Sequence, residues 1–189
     1  WMIDEYEQIV RAKVPAAITG KPLPLGGSPG RVAATGRGAL KVLDLWAERE
    51  KRQPEETTVA VQGFGNAAYH FARLVSERGY RIVAVSDTSG ACYHADGLDI
   101  EAVKQAKSNS GKVTDSQAGK AMTGDELLAL DVNVLALAAL ENQIHCDNVH
   151  EVKAGAILEI ANGPLTIDAD QVLAKRDVPV LPDVLANTG

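Results

Sequence analysis

The feature that most constrains the fold is the segment TTVAVQGFGNAAY, residues 57–69, in which an apolar run ends at Gly63-Phe64-Gly65. The first glycine suits a sharp turn after a strand, and the second, which lacks a Cβ atom, lets a phosphate approach the backbone. Ala68 stands where a small residue allows the following helix to pack closely on the strand. The pattern predicts strand, phosphate-binding turn and helix, with a tight turn that holds no ligand as the alternative.

The rest of the chain alternates between short apolar runs and helical patterns. Ala68, Phe71, Ala72 and Val75 recur at helical spacing, which predicts one apolar face turned toward a sheet. Strands and helices that take turns are typical of parallel strands joined by right-handed crossovers. The fold class predicted is α/β, a doubly wound, Rossmann-type, mostly parallel sheet with helices on both faces. The predicted strands cover residues 58–62, 81–86, 132–137, 156–160 and 178–181.

Residues 1–56 do not follow this alternation. They begin with an amphipathic helical pattern over residues 1–13, continue through a loop rich in Pro and Gly at residues 14–30, and end with a further helical pattern. We therefore divide the chain into residues 1–56, which connect from a different domain, and residues 57–189, which form the nucleotide-binding domain. Later in the chain, Asp99 is predicted to cap a helix, and Thr123 with Glu126 has the spacing of a capping box.

The glycine pattern is typical of folds that bind dinucleotides, and an acidic residue at the end of the second predicted strand supports this interpretation independently. Asp87 follows Ser86 at that strand end and lies 24 residues after Gly63, close to the roughly 20 at which an acid hydrogen-bonds the adenine ribose. The helix after the glycines offers unpaired N–H groups and a positive dipole end. A chain with a net charge of −6 can therefore bind an anion without a basic patch.

Composition excludes several other classes. Scattered basic residues in an acidic chain predict no nucleic-acid partner. The longest apolar run, Val134–Leu140, is far shorter than the roughly 20 residues of a membrane span, so no membrane partner is predicted. Two cysteines, Cys92 and Cys146, cannot build a dense disulfide framework, and a cytoplasmic location is expected. His145 beside Cys146 has no second Cys or His at ligand spacing, so we predict no metal site.

Six stretches resemble, in order, the cofactor domain of hexameric glutamate dehydrogenases, within the Glu/Leu/Phe/Val dehydrogenase family. The match spans nearly the whole chain and is far more specific than the glycine pattern alone. The stretches are ITGKPLPLGGSPGRVAATGRG (18–38), VAVQGFGNAA (59–68), VAVSDTSGACYHADGLD (83–99), ALENQI (139–144), ANGPLT (161–166) and LPDVLANTG (181–189).

The resemblance implies reversible oxidative deamination of L-glutamate to 2-oxoglutarate and ammonia with NAD or NADP. The family's catalytic lysine and aspartate lie in a substrate domain upstream of this chain, so we expect no catalytic residue here, and Lys21 is not a replacement for that lysine. The chain is expected to be the cofactor-binding piece of a longer protein, truncated at its C-terminal end. We expect the full-length protein to be a homohexamer and this piece to be a monomer or weak dimer.

The resemblance also implies a set of cofactor-binding residues. The phosphate loop runs from Gly63 to Ala67, and Ser86 and Asp87 face the adenosine. Family positions near the nicotinamide and its ribose match Asn162 and Asn187. The complete predicted set is Thr35, Gly63, Phe64, Gly65, Asn66, Ala67, Ser86, Asp87, Ala138, Ala139, Asn162 and Asn187. Helix caps and turn residues are the alternative roles for Thr35 and the two asparagines near the nicotinamide.

Four positions depart from the family pattern: Ala33, Leu137, Ile160 and Leu165 replace Glu, Pro, Gly and Thr. Ile160 matters most, since a β-branched residue fills space where glycine would let a ligand approach, and we expect a reshaped nicotinamide pocket.

The carboxylate of Asp87 favours NAD over NADP, because it would repel a 2′-phosphate, although Arg81 or a loop lysine could offset it. An enzyme for another amino acid and a regulatory module without chemistry remain the alternative functions.

Overall fold

The computed structural model describes residues 1–188, and these residues form one seven-stranded sheet with helices. The strands are β1 Thr58–Gln62, β2 Arg81–Asp87, β3 Gly90–Tyr93, β4 Lys120–Met122, β5 Val134–Leu137, β6 Ile157–Glu159 and β7 Val180–Leu181. The α-helices are α1 Met2–Val10, α2 Arg31–Arg49, α3 Asn66–Glu77, α4 Ile100–Ser110, α5 Gly124–Leu128, α6 Ile167–Lys175 and α7 Asp183–Ala186. Single 3-10 turns occupy Pro15–Ala17, Leu23–Leu25, Pro54–Glu56, Val113–Asp115 and Val149–Glu151.

The strand order is β4-β3-β2-β1-β5-β6-β7. Strands β2, β1, β5, β6 and β7 run parallel, which confirms the predicted doubly wound α/β fold. The other two strands, β3 and β4, are antiparallel and were not predicted. They are short and begin at a glycine and a lysine, so their apolar pattern is too weak to stand out from a loop.

Two apolar cores cover the two faces of the sheet, because alternate strand residues point to opposite sides. On β1, Val59 and Val61 face a core that includes α2, α3 and α4, and the helical stripe predicted from Ala68 to Val75 is buried in it. Ala60 faces the other core, to which α5 and α6 contribute Leu127 and Leu173. Burial on both faces explains why the central strands read as continuous apolar runs.

Polar side chains set several element ends. Thr58 N donates to Asn133 Oδ1 (2.8 Å), so a side-chain oxygen takes the place of a backbone carbonyl of the neighbouring strand at this point. The β1–β5 ladder consequently starts at Val59 and Val134, two residues after the predicted start of that strand. The predicted Asp99 cap is confirmed by its hydrogen bond from Ala102 N (3.0 Å), and Thr123 with Glu126 forms the predicted capping box.

The chain divides into two compact units, Trp1–Val32 and Ala33–Gly189. The predicted division into domains at residue 56 stays a prediction. Within the first unit, the Lys21 ammonium donates to the carbonyl oxygens of Pro15 and Ile18, so this lysine closes a loop.

No helix in the described part of the chain has both the length and the apolar character needed to cross a bilayer.

Gly36 is predicted to be essential for the contact between α2 and α3. A Cβ atom there would lie 2.7 Å from the main-chain nitrogen of Phe71, which cannot move aside independently of α3. We expect Gly36→Ala to lower the free energy of unfolding by about 1–3 kcal/mol, although alanine favours helices. Gly124→Ala, whose Cβ would meet nothing within 4 Å, is the control and should not destabilise. Urea denaturation measures both, and equal stability of the two variants would contradict this account.

Candidate cofactor-binding site

The candidate site lies where the direction of chain winding reverses. From β1 the chain builds β2, β3 and β4 on one side, and it then returns to place β5 on the other side of β1. The carboxyl ends of β1 and β5 therefore leave a crevice between two diverging connections, which is where open α/β sheets bind ligands. Gly63 follows β1, and Ala138 follows β5, so the two predicted segments meet at this crevice.

Gly63 makes the close approach of these segments possible. Its φ of +97° is unfavourable for other residues, and a Cβ atom would lie 2.8 Å from the carbonyl oxygen of Ala138. Its N–H donates to Ser86 Oγ (3.1 Å), while Ala138 N donates to the carbonyl of Gln62 (2.8 Å). Gly63 is thus needed for the fold itself, and Ser86 connects the end of β2 to the same turn.

Gly65 differs from Gly63, because nothing in its own structure requires glycine. Its φ is −80°, and an added Cβ atom would meet nothing within 4 Å. It is the N-cap of α3, and no side-chain hydrogen bond caps this end of the helix, where the positive end of the helix dipole lies. A glycine that leaves open space in front of a bare helix N-terminus matches the shape that a phosphate group requires.

The other residues of the loop have different surroundings. The Phe64 side chain is 3% exposed and packs edge to face on Tyr69, with ring centroids 6.0 Å apart. Any contact of Phe64 with a ligand is therefore through its backbone. Asn66 is exposed at the first position of α3, and Ala67 is half-buried and lines a cleft on the side of α2.

Asp87 is held by four donors at the end of β2. Its Oδ1 accepts from Ser89 N (2.8 Å) and Ser89 Oγ (2.5 Å), and its Oδ2 accepts from Val113 N (3.2 Å) and Lys107 Nζ (2.9 Å). Burial tends to raise the pKa of this carboxyl, but the hydrogen bonds of Ser89 and Lys107 outweigh it and hold the pKa below its usual range. The carboxylate is therefore ionised, paired with a lysine and 7% exposed.

Two adjoining clefts join the predicted residues. One of about 640 Å³ includes Gly63, Phe64, Gly65, Ser86, Asp87, Lys107, Ala138 and Ala139. The other, of about 940 Å³, is lined by Thr35, Ala67, Ala138, Ala139, Leu140, Glu141, Asn142, Ile160, Ala161, Asn162 and Asn187. Ala138 and Ala139 belong to both, so the end of β5 lies between them. The structure brings together every predicted residue except Asn66 in the walls of these clefts.

Asn162 and Asn187 form a pair whose amide orientation follows from chemistry. Asn187 Nδ2 donates to the carbonyl oxygen of Ile160 (3.3 Å) and to Asn162 Oδ1 (2.7 Å). A carbonyl can only accept, so Asn187 must present its nitrogen to this oxygen, and Asn162 must present its oxygen to Asn187. Within residues 1–188, no hydrogen bond uses Asn162 Nδ2 or Asn187 Oδ1. One donor and one acceptor therefore remain for a ligand.

Sequence reasoning missed several polar side chains of the first cleft, among them Lys107, Gln62 and Gln143. Lys107 comes from α4, and its distance along the chain hides its contact with Asp87. Gln62 Nε2 donates to Gln143 Oε1 (2.8 Å), which links the end of β1 to the loop after β5. Nothing in the one-dimensional pattern brings these residues together. Only Gln62 could have been identified as a candidate site residue from the sequence, because it is a polar residue at the end of an otherwise apolar strand.

The four departures from the family pattern lie in different surroundings. Leu137 and Ala33 are buried. Leu165 is half-buried and pairs with Ile144. Ile160 is 4% exposed, packs in the core under α7 and also lines the larger cleft. The predicted reshaping of the nicotinamide pocket stays a prediction.

One group of possible metal ligands lies on the loop after β5, and its first member, His145, also lines the smaller cleft. His145 Nδ1, Cys146 Sγ and an Asp147 carboxylate oxygen lie within 4.8 Å of one another on a partly exposed loop. The hydrogen bond and negative charge of Asp147 raise the pKa of the Cys146 thiol, which opposes the thiolate that a metal would need. The absence of a metal cofactor stays a prediction.

Comparison with known proteins agrees with this geometry. The sequence model described as Glutamate/Leucine/Phenylalanine/Valine dehydrogenase matches residues 26–189. The chain is 44% identical to the NADP-specific glutamate dehydrogenase of Synechocystis sp. and 40% identical to the cryptic catabolic NAD-specific glutamate dehydrogenase of Bacillus subtilis. All of this chain is covered in both matches, against 46% and 44% of the relatives. The chain therefore belongs to the Glu/Leu/Phe/Val dehydrogenase family and spans less than half the length of these relatives.

A solved structure supports the same assignment. The hetero-hexameric glutamate dehydrogenase of Thermus thermophilus, in its Leu-bound form, superposes with a TM-score of 0.90 at 35% identity. The match covers 100% of this chain and 44% of that one. The L-tryptophan dehydrogenase of Nostoc punctiforme shares the fold, with a TM-score of 0.61 over 82% of this chain at 22% identity.

The donors around Asp87 predict a specific acid dependence of stability. A carboxyl whose folded pKa is lowered contributes stability above its unfolded pKa of about 3.9, and this stability is lost as the pH falls through the folded value. Asp87→Asn should cost about 1 kcal/mol at neutral pH and weaken the dependence of stability on pH below about pH 4. Urea denaturation across that range tests this. The exposed Asp96→Asn is the control, and a wild-type pH slope in the Asp87 variant would contradict the prediction.

Proposed function

We propose that this chain binds a nicotinamide dinucleotide for an enzyme that converts L-glutamate to 2-oxoglutarate and ammonia. The observation that carries the proposal is Gly65, a glycine with neither a close neighbour nor a positive φ, at the uncapped start of α3. The pyrophosphate would lie in front of this turn, where the missing Cβ atom leaves room and the first-turn N–H groups donate. The site is at the switch point, where dinucleotides bind in this fold class.

The two clefts would divide the dinucleotide between them. Ser86 and Asp87 line the smaller cleft, which suits the adenosine, and Thr35, Asn162 and Asn187 line the larger one, which suits the nicotinamide. A primary carboxamide carries one N–H₂ donor and one C=O acceptor. The acceptor left on Asn187 and the donor left on Asn162 complement these two groups. The paired asparagines therefore support a carboxamide at that end.

The residues present account for cofactor binding but not for the proton transfers of deamination. When bound, the nicotinamide ring would supply the hydride acceptor. Among residues 1–188, the only lysine in the walls of the two clefts is Lys107, at the adenosine end, and the one carboxylate of the larger cleft is Glu141. We therefore place the lysine and the aspartate that carry the proton transfers outside this chain. This chain's own groups would orient the dinucleotide and leave one face of its ring open to substrate.

The assembly of the full enzyme belongs to the same proposal. The related Thermus thermophilus enzyme is described as hetero-hexameric, and we propose that a hexamer, formed by identical subunits, is the working form here. L-Glutamate, 2-oxoglutarate and ammonia would be its substrates and products. Names of relatives that specify glutamate dehydrogenase support this substrate.

Substitution of Gly65 separates binding from folding. Gly65→Ala should leave the free energy of unfolding within about 1 kcal/mol of wild type, because the added methyl group meets open space. It should weaken binding of both NAD and NADP by at least about tenfold, since the methyl group occupies the space of the phosphates. Isothermal titration calorimetry measures the affinities. Gly63→Ala should instead lose stability as well as binding.

Unchanged dinucleotide affinity in a folded Gly65→Ala variant would disprove a phosphate site at this turn. Failure of the wild-type chain to bind either dinucleotide at millimolar concentration would disprove the proposed binding function of the chain itself.

The choice between NAD and NADP depends on the ion pair of Asp87 and Lys107. We propose that NAD is favoured, since the carboxylate faces the position of a 2′-phosphate, and that Lys107 limits this preference by neutralising the carboxylate. Asp87→Ala should then raise NADP affinity relative to NAD by about tenfold, and Lys107→Ala should lower it by a similar factor. The exposed Lys112→Ala is the matched control. An NADP-to-NAD affinity ratio that neither variant changes would contradict this assignment.

A further inference from the structure

Two separate chain segments must be held together for the asparagine pair to exist. Asn162 lies in the loop after β6, and Asn187 follows α7, so their side chains come from different elements. The half-buried Asn187 amide donates to the exposed Asn162 amide (2.7 Å) and to the carbonyl oxygen of Ile160 in the same segment (3.3 Å). Hydrogen bonds of partly exposed groups each contribute little in water, so further contacts are needed to fix the spacing of the segments.

Asp183 contacts both segments. Its Oδ2 accepts from Gly163 N (2.9 Å), directly after Asn162. Asp183 is also the first residue of α7, and its carbonyl oxygen accepts from Asn187 N (2.9 Å), which is the helix's own backbone hydrogen bond. The Asp183 side chain therefore links α7, which ends next to Asn187, to the main chain of the residue after Asn162.

Glu159, at the end of β6, holds the backbone of Asp183 through a hydrogen bond. Its Oε2 accepts from Asp183 N (3.1 Å), and its side chain is 9% exposed at the end of β6. Burial raises the pKa of the Glu159 carboxyl, and the neighbouring charges of Asp183 and Asp170 act in the same direction. Each of the two carboxyl groups accepts a hydrogen bond from a main-chain N–H, so together they form one network that joins β6, α7 and the loop after Asn162.

We propose that Asp183 is a positioning residue that, supported by Glu159, holds the Asn162 and Asn187 amides at the spacing of a nicotinamide carboxamide. This inference rests on the proposed function, because it requires a nicotinamide dinucleotide in the larger cleft. Asp183 does not line that cleft; it acts through the main chain on the two residues that do. Its loss would therefore affect the nicotinamide end and leave the phosphate turn at Gly65 unchanged.

A pair of ligands separates positioning from general stability. ADP-ribose keeps the adenosine, the pyrophosphate and the second ribose of NADH but lacks the nicotinamide. Asp183→Ala should weaken NADH binding by about tenfold, while ADP-ribose affinity stays within about twofold of wild type. Calorimetric titration of the 189-residue chain with each ligand measures both. A purely structural role would change the two affinities equally.

Three further variants complete the experiment. Asp183→Asn keeps an oxygen that can accept from Gly163 N and should restore most of the NADH affinity. Asp183→Ser keeps a small polar side chain at the start of α7 but cannot reach Gly163, so it should show the same selective loss if Asp183→Ala fails to fold. The exposed Asp96→Ala is the control and should bind both ligands as wild type does.

The outcomes distinguish this inference from the proposed function. If the wild-type chain binds neither ligand, the dinucleotide site itself is disproved. If it binds both, and the folded Asp183 variants lose NADH and ADP-ribose to the same extent or lose neither, the positioning role alone is disproved. A selective loss of NADH affinity that Asp183→Asn reverses supports it.

Discussion

The close approach of Gly63 to the carbonyl of Ala138 is the constraint on which the rest of the site depends. It allows the turn after β1 and the loop after β5 to meet across the point where the sheet reverses its winding. A side chain on residue 63 would push these segments apart, and Ala138, on the other side of that contact, lines both adjoining clefts. The first glycine is therefore a requirement of the fold, and the second, Gly65, carries the evidence for a ligand.

The polar groups at the two ends of the crevice differ in whether other protein groups already hydrogen-bond to them. At the start of α3, backbone N–H groups are left uncapped, which favours an anion through the helix dipole. At the other end, Asn187 Nδ2 donates to Asn162 Oδ1 and to the carbonyl oxygen of Ile160, and within residues 1–188 Asn162 Nδ2 and Asn187 Oδ1 make no hydrogen bond. The first arrangement favours negative charge in general, whereas the second presents one donor group and one acceptor in fixed directions. Such a division suits a ligand with a charged middle and a neutral, specifically recognised head.

The sequence predicted the central sheet well because burial on both faces leaves continuous apolar runs, as in β1 and β2. It missed β3 and β4, since short antiparallel edge strands bury little and carry a weak pattern. It also identified Asp87 but not the lysine that pairs with it. Lys107 reaches Asp87 only because α4 packs against α3 and against the 3-10 turn Val113–Asp115, and no local rule relates two residues so far apart.

The sequence by itself determined the alternation of strands and helices, the glycine turn and the family to which the chain belongs, because each of these is written in local spacing or in long ordered motifs. Tertiary structure decided how those parts act together. It showed that Gly63 is required by packing while Gly65 is not, that the Asp87 carboxylate is already occupied by four donors, and that Asp183 joins the segments of the two asparagines. These facts depend on distances between residues far apart in the chain, and only the folded packing of the sheet and its connections sets those distances.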